Sequence, residues 1–355
     1  MAGGYRRNFG SNGQKLWGVE MTTTIYFSSN RLGEVADDQL QRMLDRFNLG
    51  RLRSSGKTPE GVMEQTLYIS STAGQFVLKG NPLFQGQWAE EQFIVEQLHT
   101  RTQIPAPAPY LVDETEDIFG WSYSIMPCLD GQHIHTPELQ ARLTPPDQQQ
   151  MAEMLAIVLL ELHSWKVEDS GELDTSSLAI RPFDVSYRVW LYGRIRYWLE
   201  DARKYSDISV QDIAWVEGIL EGSRQVFDQL NTNTFVMGDF KPQNFLVKNG
   251  DGGWKVSGLF DFTTAYFGDE VADLPKITIM YLENGEEELA RRFLTAYLKG
   301  MEDKKGFVER FRVHMLHQQI LNWGCAKAMK QVTWDDKLSF ADWARKFTDI
   351  EGYEH

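Results

Sequence analysis

Met237-Gly238-Asp239-Phe240-Lys241-Pro242-Gln243-Asn244, followed by Leu259-Phe260-Asp261-Phe262, decides the reading of this chain. One short loop holds a carboxylate, an ammonium and a carboxamide. Residues 248–253 read as the turn of a β-hairpin that folds the second carboxylate, Asp261, back beside Asn244. Phosphoryl transfer from ATP asks for this set. Asp239 would orient an attacking hydroxyl and accept its proton, and Lys241 would neutralise the charge that moves. Asn244 and Asp261 offer the hard oxygens that Mg²⁺ prefers, and two protein ligands suffice because the ion keeps waters and phosphate oxygens. Phe235-Val236-Met237 reads as the strand that aims the loop.

The bulk properties leave room for such a site. With 355 residues, 42% hydrophobic and 24% charged, the chain suits two lobes with a sizeable core. Cys128 and Cys325 are the only cysteines, so a reducing, cytoplasmic setting is expected. The apolar run at 154–160 is far shorter than the ~20 residues a membrane span needs. Arg6, Arg7 and Lys15 precede no apolar stretch, which argues against a signal peptide. The glycines among the first residues point to a flexible tail over 1–35, with Met21 a candidate start. A net charge of −14 argues against nucleic acid or an anionic membrane as partner. It suits a cationic small molecule, although acidity also serves plain solubility.

Periodicity supplies the frame. Leu40, Met43, Leu44 and Phe47 make one face of a helix over 35–47. Strands are expected at 51–54, 66–69 and 75–79, the last reached through a turn at Ala73-Gly74. A helix follows over 88–99. Pro105, Pro107 and Pro109 then force extended backbone, and 123–126 is a strand entering Pro127-Cys128-Leu129-Asp130-Gly131. Beyond it, helices dominate, at 146–163, 185–204 and 210–230, and again from Glu286 onward. A β-rich part joined to a helical part by a Pro/Gly connector is a two-lobed plan with a site between the lobes.

Several segments occur in the order of one family. They are Phe76-Val77-Leu78-Lys79, the helix carrying Glu90, Glu91 and Glu96, Met126-Pro127-Cys128-Leu129-Asp130-Gly131, Leu159-Leu160-Glu161-Leu162-His163, the loop ending Asp239-Phe240-Lys241-Pro242-Gln243-Asn244, the Leu259-Phe260-Asp261 hairpin, and Phe267-Gly268-Asp269-Glu270-Val271-Ala272-Asp273-Leu274. Together they resemble the aminoglycoside phosphotransferase family of the protein-kinase-like fold, from about residue 37 to at least 274. The resemblance implies an α+β bilobal fold, with an antiparallel five-stranded N-terminal lobe over 36–126 and a larger, mainly helical lobe over 127–355. It implies that Lys79 holds the α- and β-phosphates of ATP and that Glu91 is its partner, with Glu90 and Glu96 as alternatives. Pro127 could only accept a hydrogen bond from adenine, which leaves Cys128 or Leu129 N–H as the donor. Asp273 would brace the catalytic loop through backbone hydrogen bonds, and Asp269 would do similar work or cap a helix.

There are departures. Met237 stands where the family has His, and 54–61 is a poor glycine-rich phosphate loop. Asp261-Phe262-Thr263 lacks the glycine of protein kinases, which favours a small-molecule hydroxyl as acceptor. His133 and His135 read as surface residues, and His314 and His317 as a helix face. Trp323, Trp334 and Trp343 read as core, though in the region where the family builds its acceptor pocket. Glu283, Glu286, Glu287, Glu288, Asp335 and Asp336 are candidates for reading a cationic amine there. The acceptor stays open among an aminoglycoside or other antibiotic, choline, homoserine, methylthioribose and a sugar. Oligomeric state also stays open. A nucleotide-binding scaffold without catalysis and a protein kinase are the rivals from other classes.

Overall fold

The computed structural model describes residues 34–58 and 65–349. The expected tail lies almost wholly outside these residues, as do Pro59, Glu60 and Gly61 of the expected phosphate loop. Helix α1 (Asp37–Arg46) opens the described chain. Strands β1 (Leu52–Lys57), β2 (Gln65–Ser71) and β3 (Gln75–Gly80) follow, then helix α2 (Gln87–Arg101) and strands β4 (Leu111–Asp113) and β5 (Tyr123–Pro127). These strands form one antiparallel sheet in the order β1-β2-β3-β5-β4. Leu67 and Ile69 of β2 alternate onto the face that buries Leu40, Met43 and Leu44 of α1, with Leu78 and Ile125 completing this small core. Strand β4 had no sequence reading of its own. Its three residues sit in the extended run after the proline cluster, too short to show a period.

The remaining chain packs on a second, larger core that also takes Ile94, Val95 and Leu98 of α2. Its elements are α3 (Pro137–Gln140), α4 (Pro145–His163), β6 (Lys166–Val167), β7 (Gly171–Asp174), β8 (Ala179–Pro182), α5 (Tyr187–Ala202), α6 (Val210–Gly222) and α7 (Arg224–Asp228). Then come β9 (Asn233–Val236), β10 (Phe245–Gly250), β11 (Gly253–Leu259), β12 (Tyr266–Gly268), α8 (Leu274–Glu283), α9 (Glu287–Gly300), α10 (Phe307–Met329) and α11 (Phe340–Thr348). Helix α4 starts at a capping box, in which Thr144 accepts from Asp147 N–H and Asp147 reaches back.

Two expectations change. The single helix expected over 210–230 breaks at Ser223 into α6 and α7. The helical lobe also contains a second five-stranded sheet, β6-β9-β12-β7-β8, whose strands of two to four residues are too short for alternation to show in the sequence. That sheet matters for the site. Pairing of Phe267 with Phe235 ties the strand before the 237–244 loop to the strand after Asp261. The tryptophans close the far end as core: the Trp323 and Trp334 rings stack 5.3 Å apart, and Trp334 and Trp343 lie 4.4 Å apart.

Candidate active site

The loop is delivered by its backbone. At the end of β9, Met237 N–H and Gly238 N–H each donate at 2.7 Å to the Asp273 carboxylate, one to each oxygen, while His163 Nε2 lies 3.2 Å from it. Gly238 has φ +75°, and a Cβ there would stand 2.6 Å from the Thr264 carbonyl oxygen, so the turn admits only glycine. Asp239 emerges from this turn only 4% exposed. Its Oδ2 accepts from Lys241 Nζ at 2.6 Å and from Asn244 Nδ2 at 2.9 Å, and its Oδ1 pairs with Lys276 Nζ. Burial alone would push this carboxyl up. The Lys276 and Lys241 ammonium groups override it and hold Asp239 well below the usual carboxylate range.

Hairpin pairing of Phe245 with Leu259, and Phe260 N–H donating to Asn244 O at 3.1 Å, bring Asp261 beside Asn244. Asp261 is left-handed at φ +68°, a conformation that costs a non-glycine residue about 1–2 kcal/mol. Such strain gathers at functional positions. Thr263 Oγ1 stands 2.8 Å from both Asp261 Oδ1 and Glu91 Oε1. Glu91, 1% exposed, takes Lys79 Nζ at 2.9 Å, Gln87 Nε2 at 3.0 Å and the Tyr110 hydroxyl at 2.8 Å. Of the three glutamates on this helix, Glu91 is thus the one paired with Lys79. Burial would raise the Glu91 carboxyl, but Lys79 and the hydrogen bonds hold it below its ordinary value.

A divalent cation suits these donors. Asn244 Nδ2 donates to Asp239 O as well as to Asp239 Oδ2, which leaves the amide oxygen turned away as a hard ligand. Among the described residues, no three His, Cys, Asp or Glu side chains gather into a metal cage. A cage is not what Mg²⁺ needs where phosphates supply the rest.

At the connector, Cys128 N–H donates to Gln75 O at 2.9 Å, extending the β3–β5 ladder. Cys128 therefore drops out as adenine donor, and Leu129 N–H remains. Desolvation and Asp130 push the thiol of the exposed Cys128 up, which disfavours the thiolate a nucleophile needs. Pro127 pairs opposite Phe76 at the end of β5.

Next to Asp239 opens a cavity of about 560 Å³, bounded by Lys241, Lys276, Ile279, Met280, Glu283 and Glu286. Glu287, Glu288, Asp335 and Asp336 are not among its walls, and Asp336 pairs instead with Lys327. His135, half-buried, also faces the cavity. His314 lies on α10, on a helix face as expected. It is buried, with Nε2 3.0 Å from Asp269, which also pairs with Arg310 at 2.8 Å. Asp269 caps the short 3₁₀ turn Glu270–Asp273 by accepting from Val271 N–H.

The sequence reading missed Lys276, Thr263 and Tyr110. Lys276 had a signal: Asp273 is bound to the loop backbone, and a Lys three residues on stands one helical turn away on the same side. Tyr110 had none.

Comparison with known proteins agrees with this geometry. A model of the phosphotransferase enzyme family matches residues 57–307. Among solved structures, a thermostable mutant of aminoglycoside phosphotransferase APH(4)-Ia superposes with a TM-score of 0.60 at 16% identity, covering 88% of this chain and 97% of that one. APH(2")-IIIa superposes at 0.60 with 15% identity, covering 83% and 97%. An aminoglycoside phosphotransferase candidate from Ralstonia eutropha JMP134 gives 0.59 with 13% identity, covering 89% and 96%. A search of curated proteins finds no match. The α+β arrangement of the two five-stranded sheets, the β10–β11 hairpin and the helices is thus the kinase-like fold of these structures, and the chain belongs to the phosphotransferase enzyme family.

Proposed function

We propose that this protein is an ATP-dependent phosphotransferase that moves the γ-phosphoryl group to a hydroxyl of a small molecule. The reading is supported by the Asp239–Asn244 hydrogen bond, by the backbone bond from Phe260 that returns Asp261 to this loop, and by Thr263, which links Asp261 to the buried Lys79–Glu91 pair. The nucleotide would lie over residues 36–126 and the acceptor in the lobe at 127–355. Structures of this fold have been captured with ADP and hygromycin B and with GDP and kanamycin. Those complexes support a cationic, aminoglycoside-like acceptor, as does the net charge of −14, with choline-, homoserine-, methylthioribose- or sugar-type acceptors as the alternatives. A cytoplasmic setting fits, and no described helix is long and apolar enough to cross a membrane.

The residues divide the work. Lys79, held by Glu91, binds the α- and β-phosphates, and Leu129 N–H donates to the base. Asn244 and Asp261 would hold Mg²⁺, which when bound neutralises phosphate charge. Asp239, kept ionised, leaves one free lone-pair position on Oδ1 for the acceptor hydroxyl. It aligns that hydroxyl and takes its proton as the new bond forms. Lys241 offsets charge on the transferring group. Positioning and charge neutralisation account for the catalysis.

The test is an ATP-consumption screen over hydroxylated amines, antibiotics and sugars, with Asp239→Asn as the blank. The variant should lose about 100-fold or more in turnover while still binding ATP. Turnover by the variant at the wild-type rate would defeat the assignment. Nucleotide binding with no Mg²⁺-dependent consumption in the wild type would favour the scaffold instead.

A further inference from the structure

One face of α8 lines the 560 Å³ cavity. Lys276, Ile279, Met280 and Glu283 all reach it, and their spacing of three, four and seven residues makes a single helical stripe. At the helical rise, Lys276 and Glu283 stand about 10 Å apart along the axis. Glu286 adds a second carboxylate near the Glu283 end. At the other end, the Lys276 and Lys241 ammonium groups flank Asp239 from opposite oxygens. The cavity is therefore electrically polar along its length, cationic beside Asp239 and anionic about two helical turns away.

Resting on the phosphotransfer reading, we infer that Lys276 is a positioning and specificity-determining residue. It selects an acceptor whose reacting hydroxyl has no ammonium beside it and whose cationic group lies about 10 Å away, at Glu283 and Glu286. The reason is the filling of Asp239. Oδ2 already accepts from two donors and Oδ1 from Lys276, so the one open position for a hydroxyl adjoins an ammonium. An amine on the neighbouring carbon of the acceptor would meet like charge from Lys276. Juxtaposed like charges in a partly desolvated pocket weaken binding by about tenfold or more. Neutral or anionic groups at that place meet no such repulsion. Net acidity read from the whole sequence hides this, because it averages over both ends of the cavity.

The test is calorimetric binding to the full chain in the presence of Mg·ADP. The probes are ethanolamine, with its amine beside the hydroxyl, and ω-aminooctanol, with its amine about 10 Å off. The wild type should prefer ω-aminooctanol. Lys276→Met should shrink that preference about tenfold by admitting ethanolamine, and Lys276→Arg should restore it. Independently, the Glu283→Gln/Glu286→Gln double variant should shrink it by weakening ω-aminooctanol alone, and this arm decides the matter if Lys276→Met does not fold. An unchanged preference in the variants, or no binding of either probe to the wild type, overturns the inference. The two readings fail separately. A wild type that selects between the probes but never consumes ATP through Asp239 would defeat phosphotransfer and leave the selection by Lys276 standing.

Discussion

Gly238→Ala should destabilise the protein and disable the loop, whereas Gly193→Ala should do the opposite with the same added methyl. At Gly238 the backbone is left-handed, at φ +75°, which costs an L-residue about 1–2 kcal/mol. The new Cβ would also stand 2.6 Å from Thr264 O and 3.1 Å from Thr264 Oγ1, and overpacking of this kind adds about 1–3 kcal/mol. The total is roughly 2–5 kcal/mol. Relief has one direction. Thr264 Oγ1 donates to Met237 O at 3.1 Å, and Thr264 sits three residues past Asp261. Pushing Thr264 away therefore parts the Asp261 turn from the Asp239 loop. Gly193 lies inside α5, and nothing is within 4 Å of where its Cβ would be, so alanine there should stabilise by about 0.5–1 kcal/mol. Urea unfolding followed by tryptophan fluorescence gives both values, and ATP consumption reports on the loop. A Gly238→Ala protein within about 1 kcal/mol of wild type, or shifted in the same direction as Gly193→Ala, would refute the reasoning.

Lys79→Met leaves Glu91 buried without its ammonium and should cost about 3–5 kcal/mol at neutral pH. Because the fold holds the Glu91 carboxyl below its ordinary value, the pair contributes fully above about pH 4.3 and loses its contribution as pH falls through the folded value. The deficit measured by urea at pH 7 should therefore narrow in acid, and a deficit independent of pH would contradict this. Arg310→Met leaves the fully buried Asp269 with the His314 ring and Val271 N–H but no guanidinium, and should also cost about 3–5 kcal/mol in the same assay. A loss below about 1 kcal/mol would show that His314 suffices. Thr263→Val removes the hydroxyl between Glu91 and Asp261 and should cost about 1–2 kcal/mol and weaken Mg·ATP binding in calorimetry. Unchanged binding would separate Thr263 from the metal carboxylate.

What the sequence disclosed followed the distance over which its signals act. Asp239, Lys241 and Asn244 share a six-residue loop, and a hairpin with a visible turn returns Asp261, so local chain geometry was enough. Lys79 and Glu91 needed the order of strand and helix, and the choice among three glutamates needed the helix rotation that only packing fixes. Cys128 lost its assigned role to a backbone bond with Gln75, a residue of another strand that no reading of 127–131 could supply. The helix face of His314 was legible, but not its burial against Asp269, which lies 45 positions away. The second sheet stayed hidden because strands of two to four residues carry no period and are held by tertiary pairing alone.

Thr263 joins helix α2 to the Asp261 turn through one proton. Glu91 already receives Lys79 on both oxygens, Gln87 on Oε1 and Tyr110 on Oε2, which fills its four lone-pair positions. The Thr263 contact is a fifth, so the stronger claim on the hydroxyl proton is that of Asp261 Oδ1. Ser124 donates in turn to the Tyr110 hydroxyl at 2.9 Å, so β5 sits at the same network through its side chain. The carboxylate assigned to the metal is thereby registered against β3, α2 and β5 at once, through buried groups that water does not reach. Any rotation that draws α2 from the hairpin must break the Thr263 contact to Glu91, which keeps Lys79, Gln87 and Tyr110, and leaves the hydroxyl to Asp261 alone.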